Sequence, residues 1–391
     1  MSRFADVVVV GGGLAGTAAV VALARRGHSV IHIAPEGPSD RRTSALMMPS
    51  VDFLRAEGLV ADPETLGHRL SAIRLIDATG RLIRAPETLF EAREAGLQSF
   101  GWNFPNAGLL AHFAEVRAAL PPVETLHAAV TDLERVGAGW RLTLTDGQTV
   151  VARLVVGADG KKSLIRAAGG FRGRETGFAE AALVADLELE RPLGETSVEF
   201  HYRRGPFTLV PAGGTRANLV YIDDRAVLRS LQEQGREALM AAFYDKSQHL
   251  FGRLSLLTPA HMFMLSALSV PMAGKDGLVL VGEAAHAFPP IGAQGLNLGL
   301  RDVADLVAAL DHAESLGAGR GDPDWADAVS ARYGETRGSD IERTGGMVDA
   351  LFRSLTVGFL PAQAVRAGGI WALKLSKTLR HVAFDAGMGL R

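Results

Sequence analysis

The sequence predicts an α/β protein in which a doubly wound parallel sheet is interrupted by a mostly antiparallel sheet and followed by helices. Three observations favour this fold. A Val-rich strand pattern at residues 6–10 runs through glycines into an Ala- and Leu-rich helical pattern that stops at Gly27. Residues 176–272 keep short-stranded patterns. A buried strand pattern returns at residues 278–281 before helix-rich sequence, so the parallel-sheet domain is predicted to be discontinuous.

The N-terminal segment is the first element to justify. Residues 7–24 form the one long uncharged apolar stretch, which is close to the length of a membrane span or signal sequence. Three consecutive glycines divide it into a strand and a helix, and Asp6 stands where a signal would carry positive charge. A second strand, SVIHIA, follows and completes a βαβ unit. We therefore expect a cytoplasmic protein without a transmembrane segment.

Composition excludes several classes of function. The net charge is -2, with 41 Lys and Arg against 43 Asp and Glu, so no basic field favours nucleic acid. The chain has no cysteine, which excludes disulfides, thiolate nucleophiles and Cys-ligated metals, and no metal site is expected. Redox chemistry would therefore need a bound organic cofactor.

Two segments beside the parallel sheet alternate around tight turns. AIRLIDATGRLI at residues 72–83 and WRLTLTDGQTV at residues 140–150 each predict an antiparallel hairpin. Within the later strand-rich region, residues 226–246 predict a helical segment.

The first glycine turn fits the G-x-G-x-x-G pattern between a strand and a helix. Gly11 permits the tight turn, Gly13 lets a diphosphate approach the backbone and Gly16 permits close packing of helix on strand. Leu14 and Ala15 open the helix, whose N-terminal amides favour the diphosphate. The acid expected at the end of the second strand is displaced, because Ala34 stands there and Glu36 follows. This weakens an NAD assignment more than an FAD assignment.

Two further turns follow buried strand patterns. In GADGKKSLIR, Asp159 is either a turn former or a ligand contact, and Ser163 and Arg166 share a helix face. In GEAAHAFPPIGAQGLNLGLRD, Gly282 permits close approach and Glu283 offers a carboxylate to hydroxyl groups. The helix that begins near Gly295 would direct its N-terminus at a group that becomes electron-rich, such as a reduced flavin ring.

In this order and at these separations, the three turns resemble the fingerprints of the single-component FAD-dependent aromatic hydroxylases related to para-hydroxybenzoate hydroxylase. DRRTSAL at residues 40–46, GWNFPN at 101–106 and DAGMG at 385–389 resemble the ubiquinone-biosynthesis ring hydroxylases within that family. The resemblance implies a glutathione-reductase-type FAD-binding domain at residues 1–72, 103–172 and 274–330. It implies an antiparallel-sheet substrate domain at residues 73–102 and 173–273, and C-terminal helices at residues 331–391.

The resemblance also implies roles for particular residues. Arg42 would contact the FAD, Gly157 and Asp159 would serve the cofactor and the pyridine-nucleotide reaction, and Glu283 would bind the ribityl chain. Pro290, Gly292 and Gln294 would position the flavin and the substrate ring. The implied cofactor-binding set is Gly11, Gly13, Leu14, Ala15, Gly16, Arg42, Asp159, Gly282, Glu283, Pro290, Gly292, Gly295, Leu296 and Asn297. Most of the family has Asp where this chain has Glu283.

The implied reaction is hydroxylation of the aromatic ring of a polyprenylated phenol in ubiquinone biosynthesis. NADH or NADPH would be the transient electron donor, and O2 would react through a flavin C4a-hydroperoxide. His201, Tyr202 and Tyr221 lie on predicted strands, where they either touch the substrate hydroxyl or belong to sheet packing. Two alternatives stay open, a hydroxylase of a small soluble phenol and a flavin-containing accessory protein without catalytic activity.

The C-terminal segment is basic and patterned as a helix. Residues 366–391 carry five Lys and Arg side chains against Asp385, with apolar residues roughly on one side. Such a helix either lies on the inner membrane, where a polyprenyl substrate would reside, or packs on the protein body. The resemblance also implies association with other quinone-biosynthesis proteins.

Overall fold

The protein is described by a computed structural model for residues 3–37, 40–80, 85–120, 123–356, 369, 371, 379–381 and 384. The strands are β1 (Arg3–Val10), β2 (Val30–Ile33), β3 (Thr43–Met47), β4 (His68–Leu70), β5 (Ala72–Asp77), β6 (Thr88–Glu91), β7 (Gly101–Pro105), β8 (Glu124–Leu126), β9 (Val130–Val136), β10 (Gly139–Leu144), β11 (Thr149–Gly157), β12 (Arg174–Leu189), β13 (Thr196–His201), β14 (Pro206–Pro211), β15 (Arg216–Asp224), β16 (Leu254–Leu256), β17 (His261–Ser269), β18 (Gly274–Lys275), β19 (Leu278–Leu280) and β20 (His286–Ala287). The helices are α1 (Leu14–Arg25), α2 (Met48–Ala56), α3 (Asn106–Ala118), α4 (Leu164–Ala168), α5 (Arg225–Glu233), α6 (Arg236–Lys246), α7 (Gln294–Ser315) and α8 (Trp325–Thr356).

The first sheet is parallel through its centre, in the order β19-β11-β1-β2-β8. Val7, Val8 and Val9 of β1 are fully buried, as a strand covered on both faces requires. Strands β9 and β10 add an antiparallel extension to β11, and this confirms the hairpin predicted at residues 140–150. The mixed α/β class predicted from the sequence is confirmed.

The second sheet runs β20-β17-β12-β15-β14-β13-β5-β6 and is antiparallel except where β5 pairs with β13. One face forms a core with α5 and α6, in which Phe207, Tyr221 and Phe243 are buried. On the opposite face, Ala182 and Ile222 pack against Ile291 of the third glycine turn. This sheet therefore presents its second face to the loop that precedes α7.

The hairpin predicted at residues 72–83 is longer than the sequence suggested. β5 pairs with β6, which runs from Thr88 to Glu91. The predicted return residues 81–83 lie outside the described residues. The carboxylate of Asp77 accepts hydrogen bonds from the backbone amides of Thr79 and Ala85 and so closes the longer loop.

A third sheet, in the order β3-β7-β4, lies beside α7 and α3. Helix α8 runs from residue 325 across the predicted boundary at residue 330 and packs on α7. The domain boundaries themselves stay predictions.

Acidification below pH 6.5 is expected to destabilise the fold through His28. This ring is 6% exposed, contacts the ring of Trp325 in a tilted arrangement, and has no hydrogen-bond partner at either nitrogen among the described residues. Burial, followed by the charge of Arg320, lowers the pKa of His28 from 6.5, although Asp6 and Glu314 oppose the shift. Below pH 6.5 the unfolded chain therefore binds a proton at His28 more readily than the folded chain does. The free energy of unfolding is highest above pH 6.5 and falls as the pH drops below that value.

The variant His28→Phe tests this expectation, because phenylalanine can keep the ring contact with Trp325 and does not titrate. Between pH 6.5 and 5.5 the wild type should lose up to about 1 kcal/mol more free energy of unfolding than the variant, as measured by urea denaturation. His312→Gln, at an exposed position of α7, is the control. Equal pH slopes in the wild type and His28→Phe would refute the assignment.

Candidate active site

The three glycine turns meet at the carboxyl edge of the parallel sheet. The amide of Ala158 donates to the carbonyl of Val10 at 2.7 Å, and the amide of Val281 donates to the carbonyl of Gly157 at 2.9 Å. Gly11 has φ +124°, and a Cβ there would overlap the carbonyl of Ala158. The sequence motifs, which are more than 100 residues apart, are thus brought together as the resemblance implied.

The start of α1 is open to a ligand. Gly13 is the N-cap residue, no side chain caps the helix, and the first turn carries no acid. A Cβ at Gly13 would meet no atom within 4 Å, whereas a Cβ at Gly16 would overlap the carbonyl of Gly11. Gly16 therefore serves packing, and Gly13 leaves the N-terminal amides accessible to an anionic group.

The second turn is an anchor for its neighbours. Oδ2 of Asp159 accepts from the amides of Leu164 and Ile165 at 2.7 and 3.2 Å, which caps α4. Its Oδ1 is buried and has no hydrogen-bond partner among the described residues. Arg166 donates to the carbonyl of Ala284 at 2.9 Å and so ties this turn to the third one. The free Oδ1 is the kind of acceptor that a bound hydroxyl or amide would satisfy.

The third turn is held from behind by a buried carboxylate. The amide of Gly282 and Nε2 of His286 both contact Oδ2 of Asp302 at 2.7 Å. The other oxygen of Asp302 pairs with Arg337 of α8 at 2.7 Å, and both side chains are fully buried. Gly282 has φ +61°, a conformation that favours glycine. The backbone next to Glu283 is therefore fixed by a charge pair that is not part of the cleft.

Arg337 is the centre of a larger ion cluster between α7 and α8. It also pairs with Asp305 and Asp340, and Asp340 in turn pairs with Arg343. Burial opposes ionisation of Asp302, but His286 and Arg337 outweigh it and hold the pKa of Asp302 below its usual value. The pKa of Arg337 is raised by the surrounding carboxylates in spite of its burial. Asp302 and Arg337 are therefore both charged in the folded protein.

The loop before α7 exposes its small residues. Gly292 has φ +67°, and Ala293, the N-cap residue, has φ +54°. Pro290, Gly292 and Gly295 are exposed, and a Cβ at either glycine would meet no atom within 4 Å. Leu296 is half-buried, whereas Gln294 is buried and donates to the carbonyl of Gly292 at 3.1 Å. The loop thus offers open backbone on one side.

Asn297 has a role that sequence reasoning missed. Its side-chain oxygen accepts from the amide of Met47, and its side-chain nitrogen donates to the carbonyl of Ala45, each at 2.8 Å. The side chain is therefore occupied in fixing β3 to α7. Any contact from Asn297 to a cofactor would come from its backbone.

Arg42 and Glu283 face each other across the open side of the cleft. Nη1 of Arg42 lies 3.6 Å from Oε1 of Glu283. Arg42 also forms a bidentate salt bridge with Asp40. Asp40 in turn accepts a hydrogen bond from the side chain of Asn106 at 2.9 Å. The pair with Asp40 is the main cause of the raised pKa of Arg42. Both residues are thus positioned by neighbours while they remain accessible to a ligand.

Of the two alternatives that the sequence left open for Tyr202 and Tyr221, a substrate contact or packing, the structure favours packing. The hydroxyl of Tyr221 donates to Asp223 at 2.6 Å, and that of Tyr202 donates to the carbonyl of Lys246 at 2.8 Å. Both rings pack in the core under α5 and α6, on the face away from Ile291. His201 neighbours Phe200, which points into that core, so its ring lies on the opposite face, where Nε2 is 3.3 Å from Glu199.

These features fit a flavin dinucleotide. The uncapped helix start at Gly13 suits a diphosphate, the exposed carboxylate of Glu283 suits a polyol chain, and the open backbone around Gly292 suits a flat ring. Among the described residues no group of three or more His, Asp or Glu side chains is arranged so that it could hold a metal ion. Fold and site together define the class of FAD-dependent oxidoreductases. Residues 4–331 match the FAD binding domain family, and the chain belongs to this family.

Relatives of known activity extend over the whole chain. It is 32% identical to ubiquinone hydroxylase UbiL of Rhodospirillum rubrum, over 99% of this chain and 90% of that protein. It is 28% identical to 3-demethoxyubiquinol 3-hydroxylase of Escherichia coli, over 98% of each chain. The structure of p-nitrophenol 4-monooxygenase PnpA from Pseudomonas putida superposes with a TM-score of 0.80 at 19% identity, over 100% of both chains. The chain is an FAD-dependent monooxygenase with FAD as its cofactor.

The variant Glu283→Asp is expected to bind FAD still, but with an affinity about three- to tenfold lower, which is about 0.7 to 1.4 kcal/mol. The turn is fixed at Gly282 and Ala284, so the backbone cannot follow a carboxylate that retreats by about 1.5 Å. The dissociation constant follows from flavin retained after ultrafiltration. Glu237→Asp on α6 is the matched control. Unchanged or tighter binding would mean that the ribityl chain does not depend on this carboxylate.

Proposed function

We propose that this protein hydroxylates the aromatic ring of a polyprenylated phenol in ubiquinone biosynthesis, with NADH or NADPH as the electron donor. The names of the two relatives supply the pathway and the class of reaction. One observation in the molecule supports a lipophilic substrate. It is the apolar face of the second sheet against which Ile291 of the third turn packs.

That face forms a wall beside the open backbone of the loop. Ala182, Ile222, Leu265 and Ile291 are buried together, with Phe178 and Val220 packed against them. Ile222 pairs with Ala182, and Ala182 pairs with Phe263, so the three side chains share one face. Phe263 is 43% exposed and extends the wall towards solvent. We infer that an apolar ring and its prenyl tail lie along this wall, on the part that Phe263 leaves exposed.

The residues of the chain would bind, orient and exclude water. The amides at Gly13 would hold the diphosphate, Arg42 and Glu283 the ribityl region, and the backbone from Gly292 to Asn297 the ring. FAD, once reduced by the pyridine nucleotide, supplies the activation of O2 and the transfer of one oxygen atom to the substrate ring. The apolar wall would keep water from the reacting centre.

The experiment is turnover of purified protein with NADH or NADPH, ¹⁸O2 and a prenylated phenol. The expected result is pyridine-nucleotide oxidation that rises with the phenol, and a product that gains one ¹⁸O by mass spectrometry. Oxidation without labelled product would contradict the proposed hydroxylation. Equal turnover of the same phenol without its prenyl chain would instead support the alternative, a small soluble phenol.

A charge on the wall sharpens this test. Phe263→Glu is expected to raise the KM for the prenylated phenol at least tenfold, because the tail would have to pass a carboxylate, and to affect the unprenylated phenol less. Leu257→Glu, at a position 49% exposed and just beyond β16, is the matched control. Equal effects of the two variants would remove the wall from the substrate path.

We also propose that the C-terminal segment contacts the membrane surface. Most of residues 366–391 lie outside the described residues, but Trp371 and Leu379 are 48% and 45% exposed. Arg380 pairs with Glu94 at 2.7 Å, and Phe384 is buried with Phe90 and Phe100, so part of the segment docks on the body. In the described part of the chain no helix is long and apolar enough to cross a bilayer. Association with other quinone-biosynthesis proteins stays a prediction.

Liposome flotation tests the membrane contact. The double variant Trp371→Ala, Leu379→Ala should float several-fold less with anionic vesicles than the wild type, because exposed aromatic and apolar side chains anchor interfacial helices. Val227→Ala, at a position 43% exposed on α5, serves as the control. If the double variant floats like the wild type, the membrane contact is wrong.

A further inference from the structure

The adenosine end of the cofactor site lacks the residue that usually holds it. In dinucleotide folds a carboxylate at the end of the second strand accepts hydrogen bonds from the ribose. Here β2 is followed by Ala34, and a Cβ at Gly12 would lie 3.0 Å from the Cβ of Ala34. Position 34 therefore lies directly against the glycine turn without offering a polar group. Glu36 is exposed, two residues further along.

A different polar group occupies this edge of the sheet. His32, at the third position of β2, is 2% exposed, and its Nε2 lies 3.0 Å from the carbonyl of Gly11. Because a carbonyl can only accept, Nε2 carries the proton and Nδ1 is an acceptor. Nη1 of Arg117, near the end of α3, lies 3.1 Å from Nδ1 and donates to it. The histidine thus connects the glycine turn to a guanidinium.

The direction of β2 places this guanidinium near Ala34. Residues two apart in a strand share a face and lie about 6.6 Å apart. His32 and Ala34 therefore both face the glycine turn, and Arg117, which contacts His32, is half-buried. A guanidinium has five donors, and this one gives a single hydrogen bond within the described residues. The remaining donors are available at the edge where the ribose of a dinucleotide lies.

We propose that Arg117, held by His32, takes the place of the missing carboxylate and binds the adenosine ribose of FAD as a hydrogen-bond donor. The inference rests on FAD as the cofactor and is independent of the phenol substrate. An arginine and a carboxylate at this position differ in how they treat a phosphate group on the ribose. A carboxylate repels a phosphate on the ribose 2′-oxygen, whereas an arginine accommodates one.

Displacement of FAD from the holoenzyme measures this preference. AMP and adenosine 2′,5′-bisphosphate differ only in the 2′-phosphate, and released flavin is read by its absorbance in an ultrafiltrate at constant ionic strength. On the wild type, the bisphosphate should displace FAD at the same concentration as AMP or a lower one. With Arg117→Met, the bisphosphate should become at least fivefold less effective relative to AMP. Arg229→Met, at an exposed position of α5, should leave the ratio unchanged.

The ratio of the bisphosphate and AMP concentrations that displace FAD is measured within each variant, so a change in stability does not affect it. Two further variants extend the test. Arg117→Lys retains the charge and should keep the preference if the methionine variant fails to hold flavin. Ala34→Glu restores the usual acid and should make the bisphosphate at least tenfold weaker than AMP. A wild type that already disfavours the bisphosphate fivefold, or a ratio that does not change with Arg117→Met, would overturn the proposal.

Discussion

Replacement of Arg337 by methionine is expected to lower the free energy of unfolding by about 3 to 5 kcal/mol, the usual effect of removing one partner from a buried ion pair. Arg337 is fully buried and neutralises carboxylates of Asp302, Asp305 and Asp340. Without it, Asp302 keeps only His286 and the amide of Gly282 as partners among the contacts described above. The variant should therefore also release FAD more readily, because Asp302 holds the third turn.

A matched control lies on the same helix. Arg343 pairs with Asp340 as well, but its side chain is 59% exposed, so Arg343→Met should change the free energy of unfolding by less than about 1 kcal/mol. Chemical denaturation with flavin and tryptophan signals gives both values. Similar losses from the two variants would show that burial of Arg337 is not what makes the cluster important.

Substitution of Gly11 by alanine is expected to reduce FAD content at least tenfold and to destabilise the fold by several kcal/mol. The residue has φ +124°, which is strained for any L side chain, and the new Cβ would overlap the carbonyl of Ala158. Either the first turn or the second must move. Since the two turns form one edge of the site, the amides around Gly13 would lose their alignment.

The variant Gly13→Ala is expected to lower the affinity for FAD without a large effect on the free energy of unfolding. A Cβ there would meet no atom within 4 Å in the protein itself. Its free energy of unfolding without cofactor should therefore stay within about 1 kcal/mol of the wild type, since alanine is only a poorer N-cap. Its FAD affinity should fall clearly, because the methyl group would occupy the space of the diphosphate. Normal FAD affinity would contradict the place assigned to the diphosphate.

The sequence predicted best what depends on local patterns. The βαβ opening, the hairpin at residues 140–150 and the three turns each combine a strand pattern with glycines at fixed offsets, so a local reading suffices. The roles of Gly11 and Gly16 followed from the same geometry. The strand that pairs with β5 extends to Glu91, beyond the segment that alternates in the sequence, and the predicted return residues 81–83 lie outside the described residues.

The groups that position the site depend on contacts between distant segments. Arg337 and Asp302 are 35 positions apart, on helices whose packing no local pattern determines. The only local signals were two pairs of charged residues three positions apart. One pair is the two acids Asp302 and Asp305, and the other is Arg337 with Asp340. His32 and Arg117 gave no signal beyond the absence of an acid at Ala34. For Tyr221 the sequence left a substrate contact and sheet packing both open, because alternation along a strand does not say which face meets the cofactor; the structure places the ring in the core.

The most direct test of the central claim is a mass-spectrometric profile of quinones and their precursors in cells that lack this protein and any second enzyme for the same ring position, but keep the other ring hydroxylases of the pathway. The proposed function predicts loss of ubiquinone and build-up of a polyprenylphenol that lacks one ring oxygen. The wild-type chain should restore the quinone and Gly11→Ala should not. An unchanged quinone pool would contradict the proposal and would direct attention to a small soluble phenol.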